Sequence, residues 1–187
     1  GFLSHHFYDH TIGKLYRGLI EHLDRDLFEV IVFSTTRKKD AMAIIIENSA
    51  DQVVHLQTNL NSARNAVSDE KLDLLFYPDI GMDCFTYFLA FSRLTPVQIT
   101  SWGHPDSTGI PNIDYFISSH DLEIETGDNH YSEMLVRLKT PPTYYYKPDI
   151  PEGHKTPSAY GLPSEAHIYL CPQTLFKFHP DFDTILG

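Results

Sequence analysis

Two hydrophobic rhythms alternate along this chain, and their alternation constrains its fold more than any other feature. Short β-branched and aromatic runs take turns with stretches whose apolar residues recur at helical spacing. Phe2-Leu3 reads as the end of a strand, and Ile12, Leu15, Leu19, Ile20 and Leu23 then share one helical face, opposite Lys14, Arg17, Glu21 and His22. Residues 28–33 (FEVIVF) have the composition of a buried strand. Ala41 to Asn48 reads as a helix despite Ile44, Ile45 and Ile46 in its middle. Val53 to Leu56 suits a short strand, Asn61 to Glu70 a short helix and Leu72 to Tyr77 a further strand. Phe85 to Phe91 is apolar all round, as in a helix wedged between a sheet and a neighbouring lobe. Val97 to Trp102 and Tyr115 to Ser118 complete the strands. This rhythm predicts βαβ units: an α/β fold, with a mostly parallel sheet and right-handed crossovers that place helices on both faces.

After Thr140 the rhythm stops. Six of the twelve prolines lie between Pro141 and Pro163, with Tyr144, Tyr145 and Tyr146 among them. Proline at that density blocks both helix and central strand, so the segment is expected to run extended, packed by its tyrosines. Ala166 to Cys171 (AHIYLC) then reads as a new apolar strand, followed by a turn and a helix with Pro180 near its first turn. The expected organisation is a Rossmann-like amino-terminal lobe over 1–140, a connecting segment over 141–163 and the beginning of a second lobe over 164–187. Gly1 opens as if a strand were already under way and the chain stops just inside a helix, so an internal piece of a longer protein is expected.

Length and charge exclude other classes. At 187 residues the chain needs no disulfide staple, and Cys84 and Cys171 are expected to be small buried apolar residues. A net charge of −11, from 14 Lys+Arg against 25 Asp+Glu, argues against a nucleic-acid binder, which carries a basic face. No apolar run approaches the roughly 20 residues that span a bilayer, and no signal peptide opens the chain. A soluble, cytoplasmic protein with no membrane partner is expected.

Parallel α/β sheets bind ligands at the carboxyl ends of their strands, which ranks the loops. Residues 4–13 (SHHFYDHTIG) place three histidines, an aspartate and hydroxyls before a helix N-terminus, which favours an anion. His10 there suits a general base or a ligand contact; the alternative is that Asp9 or Thr11 simply caps the helix while the histidines are solvated. His5, His6 and His10 lack the spacing of a recognised zinc site, and no metal is expected. Residues 77–83 (YPDIGMD) read as a turn. Residues 101–109 (SWGHPDSTG) hold the only tryptophan, a histidine and two glycines, which suits a sugar or ring as well as a structural turn. In residues 171–180 (CPQTLFKFHP), Lys177 lies between a predicted strand and helix, where a phosphate meets ammonium and helix end together, with Phe176 and Phe178 placed to hold its stem. The P-loop, GxGxxG and GxSxG motifs are absent.

Five segments in this order, residues 1–34, DLLFYPDIGMD, LTPVQITSWGHPDSTGIPNIDYFIS, HYSEMLVRL and LCPQTLFKFHPDF, resemble the catalytic region of the O-GlcNAc-transferase (SPINDLY-like) proteins, glycosyltransferase family 41, above all its bacterial members. The resemblance implies a GT-B architecture: two Rossmann-like lobes with a nucleotide sugar, typically UDP-GlcNAc, between them. It implies an inverting, metal-independent enzyme in which a protein hydroxyl attacks the anomeric carbon and the nucleoside diphosphate leaves. UDP-sugar and an acceptor protein or peptide would be its partners, tetratricopeptide repeats would lie elsewhere in the parent chain, and the chain alone would be inactive. By this resemblance His10 lies at the active site, Trp102, Gly103, His104 and Pro105 contact the sugar, and Lys177 and Thr174 contact the diphosphate.

Three places depart from the family pattern. Thr174 stands where the animal enzymes have Gln, Trp102 replaces a smaller apolar residue, and Met82-Asp83 stands near a family threonine. O-GlcNAc transfer to Ser or Thr therefore leads, with protein N-glucosylation or a non-catalytic Rossmann-like protein-binding module as alternatives; a sugar-nucleotide epimerase has no motif support.

Overall fold

A computed structural model describes residues 1–150, 152–153 and 155–186. These form two units, Gly1–Lys147 and Pro148–Gly187, each of which is described by itself.

The first unit is built on seven strands: β1 (Phe2–Ser4), β2 (Ile31–Ser34), β3 (Gln52–His55), β4 (Leu74–Tyr77), β5 (Val97–Ser101), β6 (Tyr115–Ser119) and β7 (Met134–Leu138). They lie in the order β3-β2-β1-β4-β5-β6-β7, and each neighbouring pair is parallel. Four helices connect the early strands: α1 (Thr11–His22), α2 (Ala41–Ser49), α3 (Leu60–Asp69) and α4 (Cys84–Ala90). The first unit is thus the α/β, Rossmann-like lobe that the alternation predicts.

Alternating side chains of the central strands serve opposite faces. Leu3, Phe33, Leu75 and Tyr77 join a cluster with Ala63 and Val67 of α3 and Leu89 and Ala90 of α4. Phe2, Val32 and Phe76 join the other, with Leu15, Tyr16 and Ile20 of α1 and Ile46 of α2. A strand covered on both faces cannot alternate with polar residues, which is why these runs read as continuously apolar. Asp40, Asn59 and Asp83 cap α2, α3 and α4, each accepting from the backbone N–H three residues on. Tyr144 and Tyr146 pack on α1 as expected: the Tyr144 ring occupies the space a side chain at Gly18 would need, and Arg17 lies 3.9 Å over the Tyr146 ring.

The structure corrects several expectations. The second strand starts at Ile31, and Leu27 and Phe28 are exposed, because the ladder to β1 reaches only Val32, Phe33 and Ser34. β7 lies outside the predicted strands: it follows β6 through a turn and a single 3-10 turn at Gly127–His130, without a crossover helix, as β6 itself follows β5. Cys84 is exposed, since α4 buries Thr86, Leu89 and Ala90 and Cys84 lies off that face. Phe88 and Phe91 of the same segment are exposed as well.

In the second unit, residues 166–171 form no strand. Extended backbone becomes a strand only when a neighbour takes up its N–H and C=O groups, and no ladder reaches this segment among the described residues. Tyr169 and Cys171 are exposed there. Pro180 does open a turn, the 3-10 helix Pro180–Phe182, which leads into α5 (Asp183–Leu186). Among the described residues no helix is long and apolar enough to cross a membrane.

Candidate functional site

The strand order reverses between β1 and β4, so the loops leaving their carboxyl ends diverge and leave a crevice between them. Three loops close on that point. The first runs from Ser4 to α1, the second follows Tyr77 and the third follows Ser101. Their contact is tight at Gly103, where a Cβ would lie 2.2 Å from the Pro78 carbonyl oxygen and 2.8 Å from Ile12 Cδ1. Gly81 adopts φ +107°, open to glycine, and its missing side chain makes room for the His104 ring at 3.2 Å. Trp102 packs against the cluster that holds Ile12 and Tyr16, and its indole N–H is buried without an acceptor. Pro105 is exposed beyond the turn.

His10 is itself the cap of α1. Its Nδ1 accepts from the Ile12 N–H at 3.2 Å, while Asp9 pairs with Lys14 at 2.8 Å instead of capping. The bond assigns the tautomer: with Nδ1 accepting, the neutral ring carries its proton on Nε2. His10 therefore presents a donor, and acting as a base would require surrendering the cap. Burial, then Lys38 and Lys14, hold the His10 pKa below its ordinary value, which keeps the ring neutral. His6 stacks on His10 with centroids 4.4 Å apart at 23°, and His5 Nδ1 lies 2.8 Å from Thr35 Oγ1 on the loop after β2. Lys38 sits 3.8 Å over the Tyr8 ring. Histidines, Lys14 and Lys38 thus gather on one rim of an acidic protein, an arrangement that favours an anionic ligand.

Sequence reading passed over two residues here. Asp79, read as part of a turn, is only 2% exposed and accepts from Ser4 Oγ at 2.8 Å. Glu133, on no candidate loop, is buried and holds the third loop through Thr108 N and Ser107 Oγ, each at 2.8 Å. The signal of Asp79 in sequence is weak, because a carboxylate in a Pro-Asp turn is ordinarily solvated, and Glu133 immediately precedes a strand that the sequence did not predict. Thr174 and Lys177 belong to the second unit. Lys177 ends the 3-10 turn Leu175–Lys177, donates its N–H to Thr174 O at 3.0 Å and is exposed. Neither phenylalanine is buried against its stem: Phe176 is exposed and Phe178 stacks on Phe182 at 5.6 Å. Among the described residues no group of three His, Cys, Asp or Glu is arranged to hold a metal ion.

Burial pushes the Asp79 carboxyl up to about 7 and the His6 imidazole down to about 4. Between the ordinary carboxylate value and about 7, folded Asp79 keeps a proton the unfolded chain has lost, so stability falls as pH rises. Between about 4 and the ordinary imidazole value, folded His6 lacks a proton the unfolded chain holds, so stability rises with pH. The two slopes oppose each other from about pH 4 to 6.5. Asp79→Asn is therefore expected to gain about 1–2 kcal/mol of stability as pH goes from 4.5 to 6.5, and His6→Gln to lose a similar amount, with wild type flatter than either. Thermal midpoints across that range check it; parallel profiles for all three proteins would refute it.

No family model matches the chain. The probable UDP-N-acetylglucosamine–peptide N-acetylglucosaminyltransferase SPINDLY of Oryza sativa subsp. japonica is 24% identical over 74% of this chain and 15% of its own length. The corresponding SEC protein of Arabidopsis thaliana is 24% identical over 97% of this chain and 19% of its own. The UDP-glucose:protein N-beta-glucosyltransferase of Actinobacillus pleuropneumoniae serotype 5b (strain L20) is 31% identical over 45% of this chain and 13% of its own. The chain thus spans less than a fifth of the length of these curated relatives. Among solved structures, a mutant O-GlcNAc transferase of Thermobaculum terrenum matches with a TM-score of 0.72 and 25% identity, over 76% of this chain and 28% of that one. Sequence and fold comparisons agree in what the chain is similar to: protein glycosyltransferases of the O-GlcNAc-transferase and SPINDLY type.

Proposed function

We propose that this chain is part of an inverting, metal-independent protein glycosyltransferase of GT-B architecture that most closely follows O-GlcNAc transfer from UDP-GlcNAc to Ser or Thr. The observation that carries the reading is the convergence of the three loops at the switch point. His10 enters that convergence with its Nε2–H as a donor that a sugar hydroxyl can accept, and the ring of Trp102, on the third loop, suits the apolar side of a sugar. The relatives support the same chemistry, since their names specify transfer from UDP-sugars to peptide or protein.

In this reading an acceptor hydroxyl attacks the anomeric carbon, the bond to the diphosphate breaks, and the hydroxyl proton passes to a base other than His10 Nδ1. The role of Lys177 and Thr174 is to meet the departing diphosphate, Lys177 with its ammonium. A cytoplasmic setting and tetratricopeptide repeats in the parent chain belong to the same proposal.

The 31% identity to the N-glucosyltransferase supports a second reading, transfer of glucose to asparagine. One calorimetric experiment on the full-length protein tests both, with UDP-GlcNAc, UDP-glucose and GDP-fucose titrated in turn. Saturable binding of UDP-GlcNAc alone is expected, UDP-glucose in its place would favour the second reading, and no binding by any donor would overturn both.

A further inference from the structure

Asp79 has no part in the chemistry above, yet its surroundings are not those of a turn residue. Ser4 Oγ donates to Asp79 Oδ2 at 2.8 Å and accepts from His6 N at 2.8 Å, so one hydroxyl ties the second loop to the start of the first. His6 Nε2 lies 3.9 Å from the same carboxyl oxygen, buried and without a hydrogen-bond partner. His6 Nδ1 lies 3.2 Å from the Tyr8 hydroxyl, and the His6 ring stacks on His10.

A buried aspartate beside a buried histidine can be two ions or two neutral groups. Ions out of water need further hydrogen bonds to offset their lost hydration, and here Ser4 and Tyr8 supply one each. Burial drives both groups toward neutrality. Asp83 favours a proton on either one, while His10, His5 and Lys38 oppose charge on His6. A neutral acid has a proton to donate, and His6 Nε2 is an acceptor lacking a donor. Rotation about the terminal torsions, which are broad for Asp and His, brings 3.9 Å within hydrogen-bond range.

We propose that Asp79 is a positioning residue: as a neutral carboxylic acid it donates to His6 Nε2, and through the His6–His10 stack it holds the His10 ring, whose proton is on Nε2. The effect on catalysis rests on the glycosyltransferase reading; the hydrogen bond does not.

The test uses full-length protein with 15N-labelled histidine, in wild type, Asp79→Ala and Asp79→Asn. Asparagine keeps an acceptor for Ser4 and a donor for His6 but no titratable proton. In wild type, His6 is expected to stay neutral from pH 5 to 8, with its proton on Nδ1, and its Nε2 nitrogen to be shifted as a hydrogen-bond acceptor up to about pH 7, where Asp79 loses the donated proton. Asp79→Asn is expected to preserve that signature and Asp79→Ala to lose it. In transfer assays Asp79→Ala is expected to lower kcat roughly 10-fold with a smaller change in KM. Asp79→Asn should recover most of that loss and remove any fall in kcat/KM centred near pH 7. Asparagine as damaging as alanine, or a wild-type His6 that titrates at its ordinary value, would overturn the proposal. If wild type transfers no sugar from any donor, the glycosyltransferase reading fails while the histidine signals still decide the hydrogen bond.

Discussion

Lys177→Ala is expected to lower sugar transfer by the full-length protein roughly 10²–10³-fold, by analogy with the loss of a single oxyanion donor. In the proposed metal-independent reaction, negative charge grows on the diphosphate as its bond to the anomeric carbon breaks, and a cation must meet it. Lys177 is exposed at the end of a 3-10 turn. Lys177→Arg keeps the charge but spreads it over a planar fork, so it should recover only part of the rate. If the charge acts mainly in the transition state, the loss falls on kcat more than on donor affinity. Steady-state kinetics with calorimetry separate the two, and an alanine variant within threefold of wild type would remove Lys177 from the site.

Gly103→Ala is the second large effect. Its new Cβ would stand 2.2 Å from the Pro78 carbonyl oxygen and 3.0 Å from the carbonyl carbon. These are backbone atoms of a buried residue that directly follows a central strand, so they cannot swing aside as a side-chain tip would. Overpacking of this kind costs about 1–3 kcal/mol and sometimes more, and relief can come only from parting the second and third loops. The variant should therefore melt several degrees below wild type and lose the donor binding proposed for the Trp102–His104 turn. Gly109→Ala supplies the contrast: its φ of +65° carries strain, but no atom lies within 4 Å of the added carbon. Its cost should be about 1 kcal/mol, with donor binding retained. Equal behaviour of the two variants in thermal melts and calorimetry would refute the packing argument.

How far the site was legible follows from the range of each interaction. His10 and the tryptophan loop were found because each follows a predicted strand. That His10 caps α1 was not legible, because Asp9 and Thr11 are its neighbours and better caps by type; the Asp9–Lys14 pair decides otherwise. Asp79 looked like a turn residue because its partner Ser4 is 75 positions away. β7 was not legible because it is an edge strand, with Met134 and Leu138 exposed and Arg137 interrupting its apolar run, and residues 166–171 read as a strand because their composition is apolar while their ladder partner is absent among the described residues.

The periodicity of the sequence alone determined the α/β class, the parallel sheet and the strand ends on which the loops sit, since periodicity reports which face of each element leaves water. Tertiary structure alone decided which atoms meet: Gly103 against Pro78, Ser4 with Asp79, His6 over His10. Strand order and register bring those groups together, and both depend on the joint packing of distant segments around one core, which no local pattern encodes.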